Sequence, residues 1–242
     1  MTDLLTKTLA SIVTEDHRTA AVFEKFNLDF CCRGKRSLKD ACKEQQVNPA
    51  EVLISLEETL ATGNNDTDDL AGKSLQELSD YIVQTHHSYV KRELPLIDGY
   101  LQKVAGKHGG RHPELIRIAE LFTAIREEMD LHMQKEEKIL FPRIAEAENL
   151  VLKGAPLYMS GSYINAPVAV MEQEHDHAGS MMAEIRQLSG NYEPPADACT
   201  TYRLSFAALQ QFEQDLHRHV HLENNILFPG AARLFGQSPS AN

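Results

Sequence analysis

The sequence predicts an all-α chain, a four-helix bundle preceded by a small helical N-terminal domain. Two observations predict it. Four stretches after residue 74 carry apolar residues at alternating steps of three and four, the period of an amphipathic helix, and no stretch shows a good strand pattern. The second half of the chain also repeats the first. HMQKEEKILFP, from His132 to Pro142, returns 87 residues later as HVHLENNILFP, from His219 to Pro229, and His87 is followed at an offset of 88 by His175.

The elements follow in order. Residues 1–60 read as short helices: Val13, Ala20, Phe23 and Phe26 are spaced helically, and Val52, Leu53, Leu56 and Leu60 give a second apolar face. Few residues are available to this part, so alone it would be marginally stable. Residues 61–69, ATGNNDTDD, hold no large apolar side chain and read as a linker, taken as 61–73. Ser74 with Glu77 forms a capping-box pattern that opens the first bundle helix. Its stripe is Val83, His87, Val90, Leu94, Ile97, Leu101 and Val104, with a kink or break expected at Pro95. Pro113 suits the first turn of the second helix, with Leu115, Ile118, Phe122, Ile125, Met129, His132, Glu136 and Ile139 as its stripe. The third is expected after Pro167, with Val168, Met171, His175, Ala178, Met182 and Ile185. The fourth, after Pro194 and Pro195, carries Leu209, Phe212, Leu216, His219, Glu223 and Ile226. Residues 149–166 are the longest connection, the bundle is expected over 74–235, and 236–242 are expected to be a disordered tail.

Composition narrows the function. The chain has 242 residues, 24% charged and 42% hydrophobic, with a net charge of −11. That charge, with no basic block, disfavours nucleic acid and anionic membrane surfaces as partners. No apolar run approaches the roughly 20 residues of a membrane-spanning helix, and MTDLLTKTLA does not read as a secretory signal, so a cytoplasmic location is expected. Four cysteines, three of them between residues 31 and 42, do not make a secreted disulfide framework, and the absence of C-x-x-C disfavours a four-thiolate zinc knuckle.

Six residues fall on their helices' own apolar stripes: His87, His132, Glu136, His175, His219 and Glu223. A lone histidine on an apolar face is usually a hydrogen-bonded core residue, but six polar residues in two repeated sets point at one another across the bundle axis. Residues at i and i+4 share a helix face and reach one ion. Two carboxylates buried without a cationic partner would cost several kcal/mol, and no Lys or Arg lies on the stripes near them. Two metal ions would supply the charge. Histidine with carboxylate inside a bundle suits iron or manganese; zinc would bind without redox use. Glu136 and Glu223, one from each half, are the natural bridges, and the four histidines are terminal ligands, two per ion, with the pairing left open. Glu128, one turn before His132, and Glu174, beside His175, are candidates for proton handling. His17, His86, His108, His112, His177, His217 and His221 fall off the axis and are expected to face solvent or to support the ligands.

Cys31 and Cys32 are adjacent, so a disulfide between them would be strained. Thiolates are soft ligands suited to iron and iron–sulfur chemistry, and Lys35 and Arg36 nearby are expected to favour the thiolate. The pair reads as a site of transient iron capture or of a thiol redox step. Cys42 and Cys199 read as small buried residues.

These motifs carry a resemblance. Residues from about 74 to 235 resemble the hemerythrin-like bundle. DFCCRG (Asp29 to Gly34), MEQEHD (Met171 to Asp176) and the two repeated phrases together resemble the repair-of-iron-centres family, the YtfE/ScdA/DnrN group, over nearly the whole chain. The resemblance implies two non-haem iron ions, carboxylate- and oxo-bridged, held by four His and two Glu. It implies a stress-response role in restoring iron–sulfur clusters damaged by nitric oxide or peroxide, with damaged iron–sulfur proteins as clients and nitric oxide or oxygen as small ligands. Nitric-oxide reduction at the centre and a homodimer are compatible with it. A nitric-oxide or oxygen sensor or scavenger is the competing expectation. A pure oxygen carrier matches poorly: Gly179 stands four residues after His175 where the carriers have histidine, and Asn224 stands where they have aspartate.

Overall fold

In the computed structural model, which describes residues 2–61, 70 and 72–236, the described chain is helical, with one isolated bridge between Thr8 and Ser37. The N-terminal part consists of α1 (Thr2–Thr6), α2 (Leu9–Glu15), α3 (Thr19–Lys25), α4 (Leu38–Glu44) and α5 (Pro49–Ala61). Thr8 and Ser37 cap α2 and α4 by accepting from Ser11 N and Asp40 N, satisfying donors that a helix start leaves open. Val52 and Leu56 are buried, whereas Leu60 is exposed near the end of α5. The expected tail, apart from Gly236, and all of the expected linker except Ala61, Leu70, Gly72 and Lys73 lie outside the described residues.

Four long arms form the bundle. The first joins α6 (Leu75–Ile82), a π turn π1 (Val83–His87) and α7 (Ser88–His108). The second joins α8 (Glu114–Lys135), π2 (Glu136–Leu140) and α9 (Phe141–Leu152). The third is α10 (Ser162–Leu188). The fourth joins α11 (Thr200–Leu222), π3 (Glu223–Leu227) and α12 (Phe228–Gly236). Helix α7 packs on α8, α8 on α10, α10 on α11 and α11 on α7, closing a ring. Ser74 and Glu77 form the full capping box at α6. Glu148 of α9 accepts from Leu75 N and Gln76 N at 2.8 and 2.9 Å, placing a carboxylate at the positive end of the helix.

Three details differ from expectation, each for a local reason. Helix α7 runs through Pro95, so of the kink or break expected there the break does not occur; Pro95 and Lys91 are both exposed, so the carbonyl that the proline leaves without a donor stands within reach of water. Helix α10 starts at Ser162, five residues ahead of Pro167, and the corresponding freed carbonyl of Tyr163 accepts from Arg143 Nη1 at 3.1 Å. The connection between the second and third arms therefore shrinks to residues 153–161.

The third difference matters most. Each π turn closes an i→i−5 bond: Ser88 N to Val83 O, Phe141 N to Glu136 O, and Phe228 N to Glu223 O. Such a turn inserts one residue and moves the inward face on by one position. Leu140 (1% exposed) is therefore buried in place of Ile139 (45%). Leu227 likewise takes the inward place expected of Ile226, and Ile82 that of Val83. Pro142 and Pro229, just after π2 and π3, cannot donate to the residue four before them, so the regular ladder is already interrupted there.

The two parts share a core. Phe23, Leu28 and Phe30 of the N-terminal part belong to the same apolar cluster as Met182, Leu216 and Val220 of the bundle. Asn225 Nδ2 donates to the Cys31 carbonyl at 3.0 Å.

Shifted register makes a direct forecast for thermal or urea unfolding. Leu140→Ala should cost about 2–5 kcal/mol, while Ile139→Ala should stay within about 0.5 kcal/mol of the parent. The reverse order would show that the second arm keeps α register.

Candidate metal centre

All six stripe residues meet in the bundle interior. His87, Glu136, His219 and Glu223 are 0% exposed, and His132 and His175 are 2% exposed. They form two sets. His87 Nε2 and His219 Nε2 stand 3.2 Å apart, with Glu136 Oε2 3.3 Å from the first and Glu223 Oε1 3.1 Å from the second. His132 Nε2 and His175 Nε2 stand 3.0 Å apart, with Glu136 Oε1 at 3.3 Å and Glu223 Oε2 at 3.1 Å. Each glutamate turns one oxygen to each set. The geometry groups His87 with His219, and His132 with His175.

The donor set fits metal ions. Two nitrogens bound at about 2.1 Å and roughly at right angles on one ion lie about 3 Å apart, the separation found in both pairs. Both Glu136 oxygens, Glu223 Oε2 and His219 Nδ1 are buried without a hydrogen-bond partner among the described residues, an expensive state for a carboxylate. The electrostatics agree. Burial alone would raise Glu136 and Glu223, yet the facing histidines hold Glu136 below the usual carboxylate range and Glu223 well below it. Burial alone would depress His87 and His132, yet the glutamates hold His87 up and push His132 to about 9. The centre attracts positive charge, and cations would replace these protons.

The repeated phrase builds this arrangement. The residue after each bridging glutamate faces a histidine on the preceding arm: His87 Nδ1 meets Glu137 Oε1 at 2.8 Å, and His175 Nδ1 meets Asn224 Oδ1 at 2.9 Å. The phenylalanine after each π turn stacks on the same ring, Phe141 on His87 at 5.8 Å and Phe228 on His175 at 6.2 Å. Glu174 Oε2 meets His132 Nδ1 at 2.8 Å. Such partners fix the tautomer that leaves Nε2 free to bind an ion. At the position equivalent to Glu174 the first half has His86, which stacks on His219 at 5.5 Å and pairs with Asp215 at 2.9 Å. His219 Nδ1 accordingly finds no acceptor.

Other candidates are placed differently. Glu128 is exposed and pairs with the exposed His177 at 2.9 Å, because Met129 takes the inward position in that turn; it is absent from both histidine–glutamate sets. Glu174 acts on the centre through His132. His17 faces solvent. His108 meets the half-buried Cys199 at 3.3 Å, and His112 pairs with Glu114 and Asp197. His217, half-buried, and His221, buried, pack edge-on against Phe30, at 6.0 and 5.7 Å, where the N-terminal part covers α11. Burial pushes both down to about 4. His86 supports His219, one of the two places expected for it; Glu137, Asn224 and Asp215 had no such role assigned from the sequence, although Glu137 and Asn224 each adjoin one of the six residues there.

Asp29 Oδ1 accepts the backbone N–H groups of Cys31, Cys32 and Arg33 at 3.1, 3.0 and 3.3 Å, and so folds the turn that presents both thiols. Gly34 is required: a Cβ there would lie 2.1 Å from the Phe30 carbonyl oxygen. Contrary to the expected thiolate, the Cys32 thiol and burial push Cys31 well above the ordinary range. Arg36 is directed at Glu44 and the Asp29 carbonyl, and Lys35 is exposed. Cys42 is buried. Among the described residues no helix is long and apolar enough to cross a membrane.

Comparison with known proteins agrees with this architecture. Residues 78–231 match the Hemerythrin HHE cation binding domain, and residues 5–60 match a domain of unknown function, DUF542. The iron-sulfur cluster repair protein YtfE of Musicola paradisiaca is 36% identical over 94% of this chain and 96% of its own. ScdA of Staphylococcus haemolyticus, also an iron-sulfur cluster repair protein, is 34% identical over 91% of this chain and 95% of its own. A probable iron-sulfur cluster repair protein of Haemophilus influenzae is 36% identical over 86% and 88%. Paired histidine sets that share two carboxylates, joined to a dithiol module and matched over both parts, place this chain in the hemerythrin-domain family of YtfE- and ScdA-type proteins.

Proposed function

We propose that the chain holds two iron ions and takes part in restoring iron–sulfur clusters damaged under nitrosative and oxidative stress. The observation that carries the reading is the pair of buried glutamates, each offering one oxygen to each histidine pair. His87 and His219 would bind one ion, His132 and His175 the other, with Glu136 and Glu223 bridging. Iron so held would cycle between ferrous and ferric states and bind small ligands such as nitric oxide. The names of the relatives support cluster repair as the use of that chemistry.

The chain's own groups have separate tasks. Glu137 and Asn224 orient His87 and His175, and Glu174 orients His132 and, with Lys135 beside it, links the centre to the surface. Cys31 and Cys32 would receive or release iron, or carry a thiol redox step, at the face of α10. The Cys32 sulfur lies 3.9 Å from where a Gly179 Cβ would stand, one turn along the helix from His175.

Protein purified without air should carry about two irons per chain, and Glu136→Ala or Glu223→Ala, each removing a ligand from both ions, should lower that count sharply. One zinc or no metal in the folded parent would defeat the reading. Glu174→Gln should weaken iron binding by roughly 10–100-fold, whereas Glu128→Gln should leave it unchanged; equal effects in an iron-competition assay would contradict the geometry. The double variant Cys31→Ser/Cys32→Ser should lose repair of a nitric-oxide-damaged cluster enzyme while keeping the iron of the bundle. Repair at the parent rate would favour the scavenger reading, in which the thiols have no part.

A further inference from the structure

Between the N-terminal part and α10 lies a cleft of about 600 Å³, lined in part by Cys31, Cys32, Asp29, Asp176, Gly179 and Arg186. Three donor groups converge there: one ligand atom from each of Asp29, Cys31 and Cys32 lies within 4.8 Å of the others. The two sulfurs are 3.8 Å apart. That separation is close to the bite of two thiolates bound to a single tetrahedral ion, about 3.8 Å for metal–sulfur bonds of about 2.3 Å. Asp29 holds the turn with Oδ1 alone, through the three backbone N–H groups described above. The Cys31 thiol also donates to Oδ1, at 3.3 Å, so the carboxylate already faces the sulfurs that an ion would join.

We propose that Asp29, Cys31 and Cys32 form a third metal site, separate from the bundle centre and suited to one thiolate-binding divalent ion, with ferrous iron the physiological occupant. This deepens the reading above, on which it rests for the identity of the ion. The site is fixed against the bundle on two sides. Asn225, two residues after the bridging Glu223, holds the Cys31 carbonyl, and the Cys32 sulfur lies against α10 at Gly179, 3.9 Å from where a Cβ would stand. On binding, the ion replaces the two thiol protons, which pass to solvent, and no electron is transferred; two metal–sulfur bonds form as two S–H bonds break. A fourth position, toward the cleft, is left for an incoming donor such as a client's thiolate.

Cobalt(II) tests the site because its thiolate complexes absorb strongly in the near ultraviolet, and the histidines and carboxylates of the bundle give no such band. Full-length protein with its bundle already loaded with iron should develop the band at one equivalent of cobalt. Cys31→Ser and Cys32→Ser should each abolish it. Asp29→Asn keeps the Oδ1 acceptor that folds the turn and should weaken cobalt binding by at least about tenfold, with bundle iron and the circular dichroism spectrum unchanged. No band in the parent, a band surviving in either serine variant, or unchanged affinity in Asp29→Asn overturns the proposal. A bundle that holds no iron would defeat the di-iron reading instead, since the thiolate band reports only on the cysteines.

Discussion

Two carboxylates with no access to solvent constrain the whole bundle. Among the described residues Glu136 and Glu223 are fully buried and pair with no lysine or arginine, so they are tolerable only beside something cationic. Four imidazoles answer that need, drawn one from each arm of the bundle. Two ions would answer it better, because each carboxylate has two oxygens and each oxygen already looks toward a different histidine pair. The ring of four helices can be read as the smallest scaffold that brings four such imidazoles to one place from four directions.

The repeated eleven-residue phrase is a set of local instructions. Its histidine and glutamate, four apart, supply two donors on one face. The residue after the glutamate turns the neighbouring arm's histidine, and the phenylalanine packs on that same ring. The proline removes a backbone donor where the helix slips by one residue. The slip then lets the glutamate and the leucine four positions later both face inward, which regular α geometry would also permit. It differs in denying the interior to the intervening isoleucine.

Much of this was legible in the sequence. The helix stripes gave the fold, and the repeat gave the six residues that meet. What was not legible follows from two physical causes. The π turns break the 3.6-residue period on which stripe reading depends, so Ile139 and Ile226 looked inward while Leu140 and Leu227 are. The joint between the two parts is a long-range contact, invisible to periodicity: His217 and His221 sit on a face of α11 that would be wet in an isolated bundle but is covered by Phe30. The charge on Cys31 was misjudged for a related reason, because Arg36 stands near it in sequence but is directed at Glu44.

The shared apolar core ties the two parts thermodynamically. Phe23 and Phe30 are buried in one cluster with side chains of α10 and α11, so the N-terminal helices cannot leave without exposing the bundle's own interior. Whatever binds the folded bundle tightly stabilises everything that must unfold with it. Cations held by Glu136 and Glu223 would thereby raise the melting temperature of the dithiol turn without touching it, and an emptied centre would leave that turn easier to open.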